Sequence, residues 1–138
     1  MGLLFGTAEW IEAYKDSVNS SKAYNDAAKT WEGDFVFIAH PAGNLDHEIR
    51  MYIDLLHGFI GPKGARLLNE GEEVESEFVY SGPWTNWEKL LQKKIDPIQG
   101  LMQGKFKLKG NMGKVMRAVK AAQELVNTAS NIPAEFEG

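Results

Sequence analysis

The chain contains no cysteine. Disulfides, thiolate zinc sites and a cysteine nucleophile are excluded, and the compartment expected for such a composition is the reducing cytoplasm. Excess positive charge is missing as well. The net charge is -4, so no overall field draws the chain to nucleic acid, and none is expected as a partner. Long apolar runs are also absent. Leu3, Leu4 and Phe5 form a short greasy start, well below the roughly 20 residues of a membrane-spanning helix and without the basic lead of a signal peptide. Neither an integral membrane segment nor a cleaved leader is expected. Met1-Gly2 invites myristoylation, but Gly6 stands where that motif wants Ser or Thr.

What the sequence does have is apolar mass. With 138 residues, 43% of them hydrophobic, it can bury a core without metal or disulfide support. The reading is one domain over 1–138, with a helical N-terminal part over 7–30 and a sheet with covering helices over 34–130. From Thr7 to Lys29, Trp10, Tyr14, Val18, Ser21, Tyr24 and Ala28 drift along one helical face, and the polar patch Asn19-Ser20-Ser21 is a place to split it. Phe35 to His40 and Ile49 to His57 read as strands of a hairpin across the turn Pro41-Ala42-Gly43-Asn44.

Gly58, Gly61, Pro62 and Gly64 read as an irregular, flexible link, followed by a short strand from Ala65 to Leu68. A further strand is expected over Glu75 to Tyr80, stopping at Gly82-Pro83. Thr85 and Glu88 have capping-box spacing, predicting a helix from about Asn86 to Lys93. Asp96-Pro97 opens another, with aspartate as cap and proline at the first helical position. The strand over Lys105 to Lys109 alternates Phe106 and Leu108 with three lysines. Asn111 then caps a helix from Met112 to about Thr128, before Asn131-Ile132-Pro133 and an acidic tail. This order is α+β, with adjacent antiparallel strands and helices gathered on one face of the sheet.

Catalytic signals are lacking. His40, His47 and His57 show no metal-ligand spacing, and Asp46, His47 and Glu48 read as a solvated loop; only a clustering of the three histidines in a cleft would point to an enzyme. Gly58 to Gly64 lacks the Gly-Lys-Ser/Thr ending of a phosphate loop, and Pro62 removes an amide donor. No serine sits in a nucleophile turn. No metal or cofactor is implied. Apolar residues crowd the stretch from Trp84 to Val119, which by itself reads as core; Met102, Met112 and Met116 there also suit a site that adapts to apolar ligands.

The run Q-G-K-F-K-L-K-G-N-M-G-K-V-M, from Gln103 to Met116, resembles the signature of the sterol carrier protein type 2 family. The likeness extends back through Trp87-Glu88-Lys89-Leu90-Leu91 and Asp96-Pro97-Ile98. It implies a five-stranded, mainly antiparallel sheet covered by helices. Between them it implies a hydrophobic tunnel holding a fatty acid, acyl-CoA, sterol-like lipid or phospholipid, without catalysis. It further implies that Leu101, Met102, Phe106, Leu108, Met112 and Met116 wall the tunnel, with Trp87 and Leu91 on a covering helix. Gly100 and Gly104 would be hinges of a lid. The ending Glu135-Phe136-Glu137-Gly138 departs from the peroxisomal Ser-Lys-Leu-like tripeptide. The early helices and a long loop from Phe59 to Glu72 resemble a standalone prokaryotic branch. The expected partner is thus a hydrophobic small molecule, with transient membrane contact and a homodimer compatible with the pattern. The alternatives are a protein-interaction or dimerisation module and an accessory subunit of a lipid-metabolising enzyme.

Overall fold

Thr7 is extended, and its hydroxyl accepts from the Trp10 amide, so helix α1 runs Ala8–Ser20. Ser21 repeats the device on the Tyr24 amide and starts α2, Lys22–Ala27. The polar patch therefore does split the helical region, because Ser21 leaves the helical conformation to act as a cap. The computed structural model describes residues 3–4, 7–43, 45–130, 132 and 134–135. The myristoylation reading, the Asn131-Ile132-Pro133 stop and the ending from Phe136 fall wholly or partly outside them.

A two-residue strand β1, Leu3–Leu4, pairs in parallel with β7, Ala134–Glu135. The main sheet has five strands: β2 Glu32–His40, β3 Ile49–Leu56, β4 Phe59–Leu67, β5 Phe78–Pro83 and β6 Lys107–Lys109. Their order is β4-β3-β2-β5-β6, with β2 and β5 parallel and the other neighbours antiparallel. Helices α3 Trp84–Leu91, α4 Pro97–Met102, α5 Met112–Met116 and α6 Val119–Ser130 complete the described elements. The α+β class and the mainly antiparallel sheet agree with the sequence reading.

Register decides which residues face the helices. Phe35, Phe37 and Ala39 stand opposite Ile53, Met51 and Ile49, while Phe78 and Tyr80 lie beside Phe35 and Phe37 on β5. Side chains alternate across a strand, so this set shares one face, and it forms the core with Trp10, Tyr14, Val18 and Tyr24 of the first helices.

Several elements differ from the sequence reading. Of the expected link over Gly58 to Gly64 and the long loop from Phe59 to Glu72, the part from Phe59 to Leu67 is in fact strand β4, which takes in most of the short strand expected over Ala65 to Leu68, while residues 68–72 are loop. His57 and Gly58, with φ of 52° and 88°, make the tight turn that joins β4 to β3. Gly61, Pro62 and Gly64 are tolerated because β4 lies at the sheet edge and its register shifts between Ile53 and Leu55. β2 begins at Glu32, earlier than Phe35, since Gly33 permits close approach of Trp31 and Phe78 instead of breaking the strand. β5 is displaced toward the C-terminus and includes Gly82-Pro83, which pair with Ala39 and His40.

That strand runs straight into α3, so Pro83, not Thr85, occupies the cap position, and no side chain caps the helix. Asp96 does cap α4, accepting from the Ile98 and Gln99 amides. β6 is shorter than expected because the Lys105 and Phe106 amides turn back to the Gly100 carbonyl. The single helix predicted from Met112 is two, α5 and α6, broken at Arg117 and Ala118. Lys114 holds α5 at the sheet through the Glu77 carboxylate and the Glu32 carbonyl, while α6 crosses to α1, α2, α3 and α4.

Candidate functional site

Helix α6 presents Ala121, Ala122, Leu125, Val126 and Ala129 toward the sheet. Alanines at three of these positions hold the helix off without filling the gap behind it. Three hydrogen bonds fix the frame: Ser17 Oγ to the Thr128 carbonyl at 2.7 Å, Ser130 Oγ to the Leu91 carbonyl at 2.8 Å, and Gln123 Nε2 to Asp96 Oδ1 at 2.9 Å. The result is a cavity of about 100 Å³ between helices and sheet.

Its wall is aromatic on the sheet side. Phe35 and Phe37 stack at 5.3 Å, and Trp87 meets Phe37 and Tyr80 edge-on at 5.7 and 5.6 Å. Trp10, Tyr14, Tyr24 and Trp31 close the N-terminal side, with Trp10 stacked on Tyr14 at 5.1 Å. Leu90, Leu91, Pro97, Ile98 and Val115 come from α3, α4 and α5.

No Asp, Glu, Lys, Arg or His is among the described lining residues. Polar atoms in the wall are mostly occupied by backbone. The Tyr80 hydroxyl donates to the Pro97 carbonyl, and the Trp87 and Trp31 indoles donate to the Ile38 and Gly33 carbonyls. Tyr14 pairs with the Thr128 side chain. The Tyr24 hydroxyl has no hydrogen-bond partner among the described residues, although Tyr24 is 1% exposed. Burial pushes the Tyr14, Tyr24 and Tyr80 hydroxyls well above their ordinary value, so all three stay neutral. On the rim, the Lys114 ammonium lies 4.9 Å from the Trp31 ring and is neutralised by Glu77.

Of the residues put forward from sequence, Trp87 and Leu91 line this cavity. Leu101 and Phe106 are buried in the core, and Leu108 and Met116 are half-buried, but none of the four is in the lining. Met102 and Met112 are 71% and 44% exposed and also lie outside it. Gly100 is packed against Ile95 and Phe106, which leaves it no freedom as a hinge, whereas Gly104 is open and has φ of 76°. Sequence reasoning missed Trp10, Tyr14, Tyr24, Trp31, Phe35 and Phe37. The helical stripe of large aromatics before Lys29 was the available signal.

The histidines do not assemble. His40 pairs with Glu48, His47 with Asp46 and His57 with Glu32, all at exposed positions. Among the described residues no group of three His, Asp or Glu is arranged to hold a metal ion, and no helix is long and apolar enough to cross a membrane.

An apolar cavity walled by aromatics, between a five-stranded sheet and its helices, is the arrangement of a small-molecule binding protein. The SCP-2 sterol transfer family matches residues 11–123, and the chain belongs to that family. A crystal structure of sterol carrier protein 2 is 30% identical, with a TM-score of 0.80 over 93% of this chain and 98% of that one. A solution structure from Thermus thermophilus, described as possibly a sterol carrier protein, is 31% identical. Its TM-score is 0.84 over 97% and 93% of the two chains. The apo sterol carrier protein 2 of Yarrowia lipolytica, 18% identical with a TM-score of 0.57 over 88% and 89%, shares the fold. No curated protein matches the chain.

Proposed function

We propose that this chain is a non-catalytic carrier that binds one apolar lipid in the cavity beneath α6 and transfers it, acting as a single lipid-binding domain. The observation that carries the reading is a cavity between helices and sheet whose described lining is aliphatic and aromatic, with no Asp, Glu, Lys, Arg or His in it. Family membership supports the same conclusion.

Burial supplies the affinity. Each methylene contributes about 0.8 kcal/mol, against association costs of roughly 4 to 15 kcal/mol. A long chain therefore binds usefully and still leaves. The cavity of about 100 Å³ is small beside the roughly 300 to 1,000 Å³ of typical ligand pockets. Loading requires the helices to move off the sheet. The break at Arg117 and Ala118 and the open Gly104 are the joints that support such a movement. Charge cannot follow the chain inside, so a charged head stays at the mouth, while a hydroxyl or carbonyl can reach Tyr24.

Titration with a fluorescent long-chain lipid tests the reading. Saturation at one ligand per chain, with quenching of the cavity tryptophans, is expected. Absence of saturable binding, with no lipid released on denaturing the purified protein, overturns it.

A further inference from the structure

Helix α5 walls the cavity with a single side chain. It is five residues long, Met112 and Gly113 are exposed, and Val115 is both its one buried residue and its one contribution to the lining. The break at Arg117 and Ala118 separates it from α6. So little apolar burial holds such a short helix only weakly.

Lys114 supplies the missing hold. Its ammonium donates to the Glu77 carboxylate at 2.8 Å and to the Glu32 carbonyl, and it lies 4.9 Å from the centre of the Trp31 ring and 5.6 Å from that of Phe78. Glu32 opens β2 and Glu77 directly precedes β5, so one side chain ties α5 to the starting ends of both parallel strands. Asn111 caps α5 by accepting from the Lys114 amide, which fixes where the side chain leaves the helix. Gly33 completes the seat. A Cβ there would stand 3.1 Å from Glu77 Oε1 and 3.3 Å from both the Phe78 and Trp31 rings.

Trp31 and Val115 both line the cavity, so Lys114 spans the seam between the sheet-side wall and the α5 wall. The side chains of Lys114 and Glu77 are 32% and 43% exposed. Each can pass to water when the pair separates, so opening strands no buried charge.

We propose that Lys114 is the latch of the cavity: α5 lifts to let a lipid pass when the ammonium releases Glu77 and Glu32, and closes when it recaptures them. The inference deepens the carrier reading and rests on it. Because the latch closes over an empty and a filled cavity alike, it governs the rate of exchange and not the affinity.

Two measurements test it: hydrogen exchange of the chain without lipid, and stopped-flow uptake and release of an uncharged fluorescent long-chain lipid. Lys114→Met keeps an apolar stem and loses both bonds. The Val115 and Arg117 amides, bonded to the Asn111 and Gly113 carbonyls, should then exchange about tenfold faster, the worth of one charge-assisted hydrogen bond. The Ala122 amide of α6 should stay as protected as before. Uptake and release should quicken by the same factor, leaving Kd unchanged. Glu77→Gln spares the bond to the Glu32 carbonyl and should give a smaller acceleration in the same direction; it also serves if K114M does not fold. Salt should speed release from the parent by screening the Lys114–Glu77 pair, and K114M should lose that dependence. Lys120→Met removes the same charge from α6, where the side chain is 73% exposed, and should behave as the parent. Unchanged α5 exchange in both K114M and E77Q overturns the latch whether or not lipid binds, as does saturable lipid binding with unchanged rates. Faster α5 exchange without saturable binding upholds Lys114 as the latch of α5 and overturns the carrier reading.

Discussion

The ring of Phe106 stacks on that of Tyr80, with centroids 4.8 Å apart and planes 25° from parallel. Gly82 and Gly100 make the slot: a Cβ at either position would stand 2.6 or 3.0 Å from the Phe106 ring. Phe106 is therefore the bolt between β5 and the turn after α4, next to the cavity wall and not part of it. Phe106→Ala should cost about 3 to 5 kcal/mol of stability, whereas Met102→Ala, at an exposed position, should stay within about 0.5 kcal/mol. Urea unfolding distinguishes the two, and equal effects would contradict the placement.

Tyr24 lines the cavity, and its hydroxyl makes no hydrogen bond to the described residues. Tyr24→Phe should weaken binding of a long-chain alcohol or ester about 5- to 10-fold, the worth of one hydrogen bond, while leaving binding of the matching hydrocarbon unchanged. Competition against one fluorescent lipid reads both. A uniform loss would mean that Tyr24 acts through packing alone.

The alanine face of α6 keeps the cavity open. Ala122→Phe should fill it, reducing lipid binding at least tenfold and costing no more than about 1 to 3 kcal/mol of stability. Retention of full binding by the folded variant would place the ligand elsewhere.

Acid should act first on the segment after β4. Arg66 grips Glu72 with two hydrogen bonds, helped by the Asn69 amide, and holds its carboxyl down at about 2 against an ordinary 4.5. A carboxyl depressed by folding stabilises fully above its unfolded value, and that contribution is lost as pH falls through the folded one. Hydrogen exchange at the Asn69 amide should thus accelerate, beyond the intrinsic pH effect, between about pH 4.5 and 2. In Glu72→Gln the amide should already be less protected at neutral pH, with no such acid step. An unchanged profile would dissociate Glu72 from the turn.

Asp96 serves two elements at once, capping α4 with one oxygen and accepting from Gln123 of α6 with the other. Asp96→Ala should cost about 1 kcal/mol from the lost cap, with faster lipid exchange as α4 loosens from α6. Stopped-flow displacement measures the rate; an unchanged rate would mean that the tie between α4 and α6 does not limit exchange.

Much of the architecture could be read along the chain. Asp96 and Asn111 announce helix starts through side-chain oxygens that act within three residues, and the alternation from Phe35 and from Ile49 encodes strands whose apolar face must be covered. The errors share one cause. Local preference makes Gly61, Pro62, Gly64 and Gly82 look like breaks, but an edge position accommodates the first three, and close packing against Phe106 requires the last. Thr85 has the spacing of a cap without the place for one, since β5 runs directly into α3.

The sequence by itself determined the class, the caps at Asp96 and Asn111, the hairpin strands from Phe35 and Ile49 and, through the Gln103 to Met116 signature, the family. All of these rest on short-range chemistry or on one contiguous run of residues. Tertiary structure alone decided the cavity. The cavity draws Trp10 and Tyr24 from the first helices, Phe35 and Phe37 from the sheet, and Ala122 from the last helix, groups that only strand register and helix crossing bring together. The signature itself supplies the bolt at Phe106 and the exposed Met112, because Phe106 is held in the slot that Gly82 and Gly100 leave while Met112 opens α5 at the surface.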